Sequence, residues 1–469
     1  MDGAGRAPAS RLNDLARPHP GLGMNGQMER TRAAQAAWAD RPVPERLAVI
    51  ARLRRLCARD PQALAATAMR PNMNEADILV AEVMPLLAAC RFLERQAPRL
   101  LAPRRPDGQR PIWLAGAQLQ VRRLPLGIVL IIAPRNYPLL LAGVQAIQAL
   151  TAGNGVVVKP APGFAAPMQA LGDALLRAGL PDGLFAVLAD THEAGEQALA
   201  LGADKVVLTG GEATGRRVLA RLAETLTPAT LELSGDDAVI VLPGAPIETM
   251  ARVIAHGLRL NGGETCIAPR RIIAVGEIVG PLAGALADIL PTLPPCHVPA
   301  PEAERIADAV TAAEAAGAAV IGGRPGETMQ PLVLRAASPE QALPPLFGPA
   351  ATLITAPDAE TAITIANASR FALGASVFGP PREAMDVARR LRAGSVTVND
   401  LIVSTADPRL PFGGTGASGF GVTRGAEGLL DMTRPQAIVS RRRILAAPFR
   451  VIPPGAARWI ARGLRLLYG

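Results

Sequence analysis

Gly127-Ile128-Val129-Leu130-Ile131-Ile132-Ala133 is an unbroken apolar run that stops at Pro134-Arg135-Asn136, far short of a membrane span. Its length and β-branched content read as a strand buried on both faces, the kind found inside a parallel sheet. The pattern then repeats. A helix follows Pro138, and Gly155-Val156-Val157-Val158-Lys159 is the next strand. Helix 165–178 leads to strand 184–188, helix 193–201 to strand Lys205-Val206-Val207-Leu208-Thr209, and another helix opens at Glu212. Repeated β-then-α units of this size predict a Rossmann-like parallel sheet wound with helices on both faces, with ligands at the carboxyl ends of its strands.

Outward from there, residues 27 to about 96 are helical in pattern, and 113–123 form a short strand-like excursion. Beyond Leu231-Glu232-Leu233 a second alternation begins at Val239 and runs to about Pro411. Glycines cluster at 413–421, and a strand-like 436–440 precedes a basic tail. The fold class is α/β, and a chain of 469 residues can hold two such domains with large cores.

Net charge is +9, yet the 49 basic residues include only two lysines, Lys159 and Lys205. That bias reads as the base composition of the gene. Apart from Arg441-Arg442-Arg443 the arginines are scattered, and aromatics make up 3% of the chain, so base-stacking platforms and nucleic-acid binding are not expected. Four widely spaced cysteines without a CxxC pair, and only four histidines, suggest neither a disulfide scaffold nor a metal site. Residues 1–26 read as a flexible start without an apolar signal segment, and the expected location is cytoplasmic.

Four features could carry chemistry. Cys266, in Asn261-Gly262-Gly263-Glu264-Thr265-Cys266, follows a glycine turn that can aim its sulfur into a cleft; the alternative is a small hydrophobe in a core. Lys159 ends an apolar strand and should reach the sheet's carboxyl edge, as a nucleotide contact or a snorkelling side chain. Thr209-Gly210-Gly211-Glu212-Ala213-Thr214-Gly215 turns a strand into a helix whose N-terminus can hold a pyrophosphate, or is an ordinary turn. Glu232, between two leucines, is either a buried carboxylate suited to general-base work or a solvent-facing one.

Together, Pro125-Leu126-Gly127, Pro134-Arg135-Asn136-Tyr137-Pro138, Ala152-Gly153-Asn154, Lys159-Pro160, Thr209-Gly210, Leu231-Glu232-Leu233, Cys266, Leu346-Phe347-Gly348-Pro349 and Pro411-Phe412-Gly413-Gly414 resemble the aldehyde dehydrogenase superfamily in order and approximate spacing. Val396-Thr397-Val398-Asn399-Asp400 is most similar to its bacterial coniferyl aldehyde branch. The resemblance implies two doubly wound parallel-sheet domains, a dinucleotide-binding one (27–108 and 125–234) and a catalytic one (235–432). It also implies a small β oligomerisation element (109–124 and 433–442) ahead of the tail (443–469), and a homodimer.

It further implies NAD(P)-dependent oxidation of an aldehyde to a carboxylic acid through a cysteine thiohemiacetal and thioester. Cys266 would be the nucleophile, Asn136 an oxyanion donor and Glu232 the base. Lys159, Thr209, Gly210, Gly211, Gly215, Leu233, Phe347 and Pro134 would bind NAD or NADP. Departures accompany it. Arg135 stands where the family commonly has tryptophan, and Pro162 and Pro345 replace the two ribose-binding glutamates. Loss of the first admits a 2′-phosphate; loss of the second would weaken cofactor binding by about 1–3 kcal/mol. Two rival readings remain at this level: a non-redox cysteine acyl or ester hydrolase on the same fold, and a catalytically silent binding or scaffold protein. Residues 455–468 form an amphipathic helix pattern, with Arg458, Arg462 and Arg465 opposite Trp459, Ile460 and Leu467. Such a helix lies on an anionic membrane, or docks on its own domain or a neighbouring subunit.

Overall fold

The computed structural model describes residues 23–106, 108, 116–442 and 451–469. The first 22 residues of the expected flexible start, residues 113–115 of the strand-like excursion, Arg443 and the opening of the basic tail lie outside the described residues. Contacts divide the chain into two compact units, residues up to Leu101 with Leu124–Arg434, and Ala102–Arg123 with Pro435–Gly469.

The larger unit holds two sheets. In the six-stranded sheet the spatial order is Gly419–Phe420, Ala229–Glu232, Lys205–Thr209, Ile128–Ile132, Gly155–Lys159, Phe185–Val187. All neighbours are parallel except Gly419–Phe420, which runs antiparallel at one edge. After Ile128–Ile132 the chain adds two strands on one side, then returns to lay Lys205–Thr209 on the other. That reversal is the switch point where loops diverge and leave a crevice. Ile132 pairs in register with Lys159, and Thr209 with Glu232, so all four residues reach the same carboxyl edge. Helix Leu140–Ala152 is buried along its whole length behind the central strands, which explains its lack of a polar face.

The seven-stranded sheet runs Ala319–Gly322, Leu332–Arg335, Ala350–Ala356, Arg271–Val275, Ala238–Val241, Gly374–Phe378, Ser395–Val398. Only its Ala319–Gly322 edge strand is antiparallel. Within the stretch expected to be helical, one helix runs from Glu75 to Leu100, with a π-helical turn over Leu79–Val83 that carries the buried Glu82.

The smaller unit holds most of a ribbon that pairs Ala117–Pro125 with Thr433–Arg441, tied by Arg122 Nε donating to Gln436 at 2.5 Å, and a helix, Ala457–Tyr468. No described helix is long and apolar enough to cross a membrane.

Candidate active site

At the switch point the loops Ala133–Asn136 and Gly210–Gly211 leave a cleft of about 1020 Å³ over the six-stranded sheet. Pro134, Lys159, Thr209, Gly210, Gly211, Leu233 and Phe347 all line it, as do Pro162 and Pro345. Gly215 does not. It sits one turn into helix Glu212–Thr225, where a Cβ would come within 2.9 Å of the Leu233 methyls, so its part is close packing of helix on strand. Burial lowers the Lys159 pKa, with Asp190 and Glu193 opposing. The cleft fits a dinucleotide. A Cβ at Gly211 would have nothing within 4 Å, so backbone can approach a phosphate. The helix that begins there has no side-chain cap, leaving its first N–H groups free for an anion.

Arg135, a departure from the family pattern, meets another charged residue: its guanidinium pairs with Glu264 at 2.7 Å and lies 5.9 Å from the Phe347 ring centre. The ion pair ties the loop that carries Arg135 and Asn136 to the loop that carries Cys266.

Helix Ile247–Arg259 ends in a turn where Asn261, Gly262 and Gly263 all take positive φ (51°, 64° and 76°). A Cβ at Gly263 would stand 2.3 Å from the Gly348 carbonyl, so only glycine lets the loops cross here. Arg270, fully enclosed, clamps the crossing by donating to the carbonyls of Gly348 (2.6 Å) and Gly263 (2.6 Å). Asn261 donates to the Asn136 carbonyl at 2.9 Å and accepts from Arg70, which pairs with the buried Glu82. Glu82 in turn accepts from the N–H groups of Leu139 and Leu140. Thus one buried network fixes Asn136 and the Cys266 loop together. Asn136 Nδ2 donates to the Glu264 carbonyl at 2.8 Å, which leaves its second hydrogen free. Among the described residues the Cys266 N–H makes no hydrogen bond either.

Glu232 is buried, not solvent-facing. It accepts from Thr209 Oγ1 at 3.1 Å, its partner in strand register, and from Thr423 Oγ1. Burial pushes its carboxyl pKa up, with Arg424 and the two hydroxyls opposing. The Cys266 thiol is pushed up to about 12 by burial first, then by the charges of Asp237 and Glu232; Arg424 opposes. Arg424 has φ +60°, a backbone state that costs a non-glycine residue of order 1–3 kcal/mol. Nothing in the sequence points to Arg424, Thr423, Arg70 or Glu82, because their partners are scattered over the chain. Only the glycines flanking 423–424 mark a tight turn there.

A second cavity, of about 900 Å³, opens on the other side. Its walls are Val80, Met84, Phe92, Leu140, Leu141, Ile402, Val403 and Phe412, with the exposed Arg91, Arg95 and Arg409 also lining it. Among the described residues Cys266 alone lines both cavities. The sulfur thus stands between a dinucleotide-sized cleft and a largely apolar chamber.

Comparison with known proteins agrees. The model of the aldehyde dehydrogenase family matches residues 24–438, and the chain belongs to that family. It is 30% identical over 434 residues to a Mycolicibacterium smegmatis protein named as a putative succinate-semialdehyde dehydrogenase [NADP(+)], covering 88% of this chain and 83% of the relative. It is 30% identical to a 4,4'-diapolycopene aldehyde oxidase of a Methylomonas species, covering 90% and 82%. The crystal structure of a Mycobacterium tuberculosis aldehyde dehydrogenase complexed with NAD+ superposes with a TM-score of 0.82 at 26% identity, covering 89% of this chain and 90% of that one. The fold is that of the family, and the protein is an NAD(P)-dependent aldehyde dehydrogenase.

Proposed function

We propose that Cys266, Asn136 and Glu232 carry the oxidation of an aldehyde that enters through the apolar cavity. The observation that carries this reading is the position of Cys266, open to both cavities. The sulfur attacks the aldehyde carbon, and the oxyanion of the resulting thiohemiacetal accepts from the free hydrogen of Asn136 Nδ2 and from the Cys266 N–H. Such donors each contribute about 100-fold or more in rate, since they are aimed before charge develops. When bound, the oxidised nicotinamide supplies the acceptor for the hydride that leaves this carbon. Glu232 then takes a proton from the water that hydrolyses the thioester, releasing the acid and the thiol. Lys159, with Thr209, Gly210, Gly211, Leu233, Phe347 and Pro134, holds the cofactor. Proline at 162 removes the family's carboxylate from that position, while Asp190 accepts from the neighbouring Gly163 N–H and faces Lys159 with Glu193, so the cofactor in this reading is NAD or NADP. In this reading 27–108 with 125–234 is the dinucleotide-binding domain and 235–432 the catalytic one.

The cavity walls favour a long apolar aldehyde over a short charged one. Each methylene moved from water onto such walls contributes about 0.8 kcal/mol, or roughly fourfold in kcat/KM. NAD(P)H formation along a series from propanal to octanal should rise by about that factor per carbon and exceed the rate with succinate semialdehyde. A flat series, or a preference for the semialdehyde, overturns the substrate class.

Assembly and location belong to the same proposal. The ribbon of Ala117–Pro125 with Thr433–Arg441 supports a homodimer, and four free cysteines suit a reducing cytoplasm. Trp459, Ile460, Leu464 and Leu467 are exposed on helix Ala457–Tyr468, beside Arg458, Arg462 and Arg465, which supports contact with an anionic membrane surface. Sedimentation of the full chain against one ending at Pro454, with and without anionic liposomes, reads both features. Expected are twice the 48.7 kDa chain mass for the full chain, a dimer for the shortened one, and liposome binding by the full chain alone. A monomer mass refutes the first, and equal liposome binding refutes the second.

A further inference from the structure

The turn after Gly421 places two consecutive side chains on the reaction centre. Thr423 donates its hydroxyl to Glu232, and Arg424, at φ +60°, turns into the apolar cavity that ends at Cys266. The guanidinium is held there by two contacts: Nη1 donates to the Thr405 carbonyl at 2.8 Å, and the carbon of the guanidinium lies 4.7 Å from the Phe412 ring centre. Among the described residues no carboxylate lies within ion-pair distance of it. A cation desolvated against an aromatic ring, without a counter-ion of its own, acts on whatever anion forms beside it.

We propose that Arg424 is a positioning residue whose charge favours the anionic, working forms of Cys266 and Glu232. The inference rests on the roles given to those two residues above. The charges facing Cys266 are Glu232 and Asp237, which both oppose a thiolate, Arg424, and Arg270. Arg270 is committed to loop carbonyls, and its charge is met by Asp236 and Asp237. Asp236 is itself paired with Arg271 at 2.9 Å. Tyr137, hydrogen-bonded to Thr265, is neutral. Facing Glu232 are the hydroxyls of Thr209 and Thr423 and the single charge of Arg424. Burial works against both anions, and Arg424 is the group placed to counter it at both.

The test reads the thiol directly. The rate of Cys266 alkylation by iodoacetamide, measured against pH in the cofactor-free full chain, follows the thiolate fraction. Arg424→Met and Arg424→Gln should each move the profile to higher pH by about one unit, so alkylation at pH 8 falls about tenfold. Arg424→Lys, which keeps the charge without the planar fork, should recover most of that loss. Profiles that coincide in the Met and Lys chains, at unchanged melting temperature, overturn the proposal. So does a change confined to KM for the aldehyde with alkylation untouched, which would make Arg424 a substrate contact. If the Met chain does not fold, the Gln and Lys chains decide the same question. Alkylation does not require turnover, so a normal profile without NAD(P)H formation would instead count against the catalytic reading.

Discussion

Replacing Cys266 with alanine is expected to abolish NAD(P)H formation from every aldehyde tested, a fall of about 10⁴-fold or more, since a covalent mechanism has no detour around its nucleophile. Dinucleotide binding, followed by nicotinamide fluorescence, should remain, because Cys266 is one residue at the edge of a cleft whose other walls, Pro134, Lys159, Gly210 and Phe347 among them, are untouched. No other cysteine can substitute. Cys57 and Cys90 are buried in the core under the N-terminal helices, and burial raises both thiols, that of Cys57 to about 11. Cys296 is buried against the Arg259 carbonyl. Serine at 266 should be as inactive as alanine, because a hydroxyl ionises far less readily than even this raised thiol. The same chain tests the two rivals: ester hydrolysis that survives without nicotinamide and disappears in Cys266→Ala favours a hydrolase. Absence of both activities and of cofactor binding in the parent favours a silent scaffold. Aldehyde oxidation persisting within tenfold of the parent in Cys266→Ala would end the mechanism.

Legibility in the sequence differs residue by residue. The strand at 127–133 is plain there, because a β-branched apolar run of that length fits little besides the interior of a parallel sheet. The orientation of Glu232 is not, because alternation along a four-residue strand flanked by leucines allows either face. It is settled by the pairing of Thr209 with Glu232, a fact about two strands together. Gly215 is the opposite case. A glycine near a phosphate-type turn suggests a cofactor contact, whereas the reason for it is the space occupied by Leu233. Arg135 reads as a lone departure from the family pattern, because its partner Glu264 is distant in sequence. The antiparallel edge at Gly419–Phe420 is two residues long, too short to leave any periodicity. Arg424 leaves no signal at all, for its meaning comes from Thr405, Phe412, Glu232 and Cys266 meeting at one point.

Glu232→Gln separates the two halves of the reaction. Glutamine keeps the shape and can still accept from Thr209 or Thr423, so the strand pairing and the Cys266 loop should survive. It cannot take a proton from water. Thiohemiacetal formation and oxidation to the thioester do not need that proton, so the first turnover should proceed and the acyl group should stay on the sulfur. The expected result is a burst of NAD(P)H close to one per active site, then steady turnover slower by about 10²–10⁴-fold. An acyl adduct on the intact chain, seen by mass spectrometry, should accompany it. The pH dependence follows from the same burial. The folded pKa of Glu232 lies above that of an ordinary carboxylate. The base is therefore lost as pH falls through that raised value, and hydrolysis in the parent enzyme climbs over a range displaced to higher pH. In Glu232→Gln this limb should vanish, while the burst keeps a pH dependence set by Cys266, displaced to lower pH because the Glu232 charge that opposes the thiolate is gone. A variant with no burst and no adduct would mean that Glu232 is needed before the thioester forms. A variant with the parent's steady rate would remove it from the mechanism.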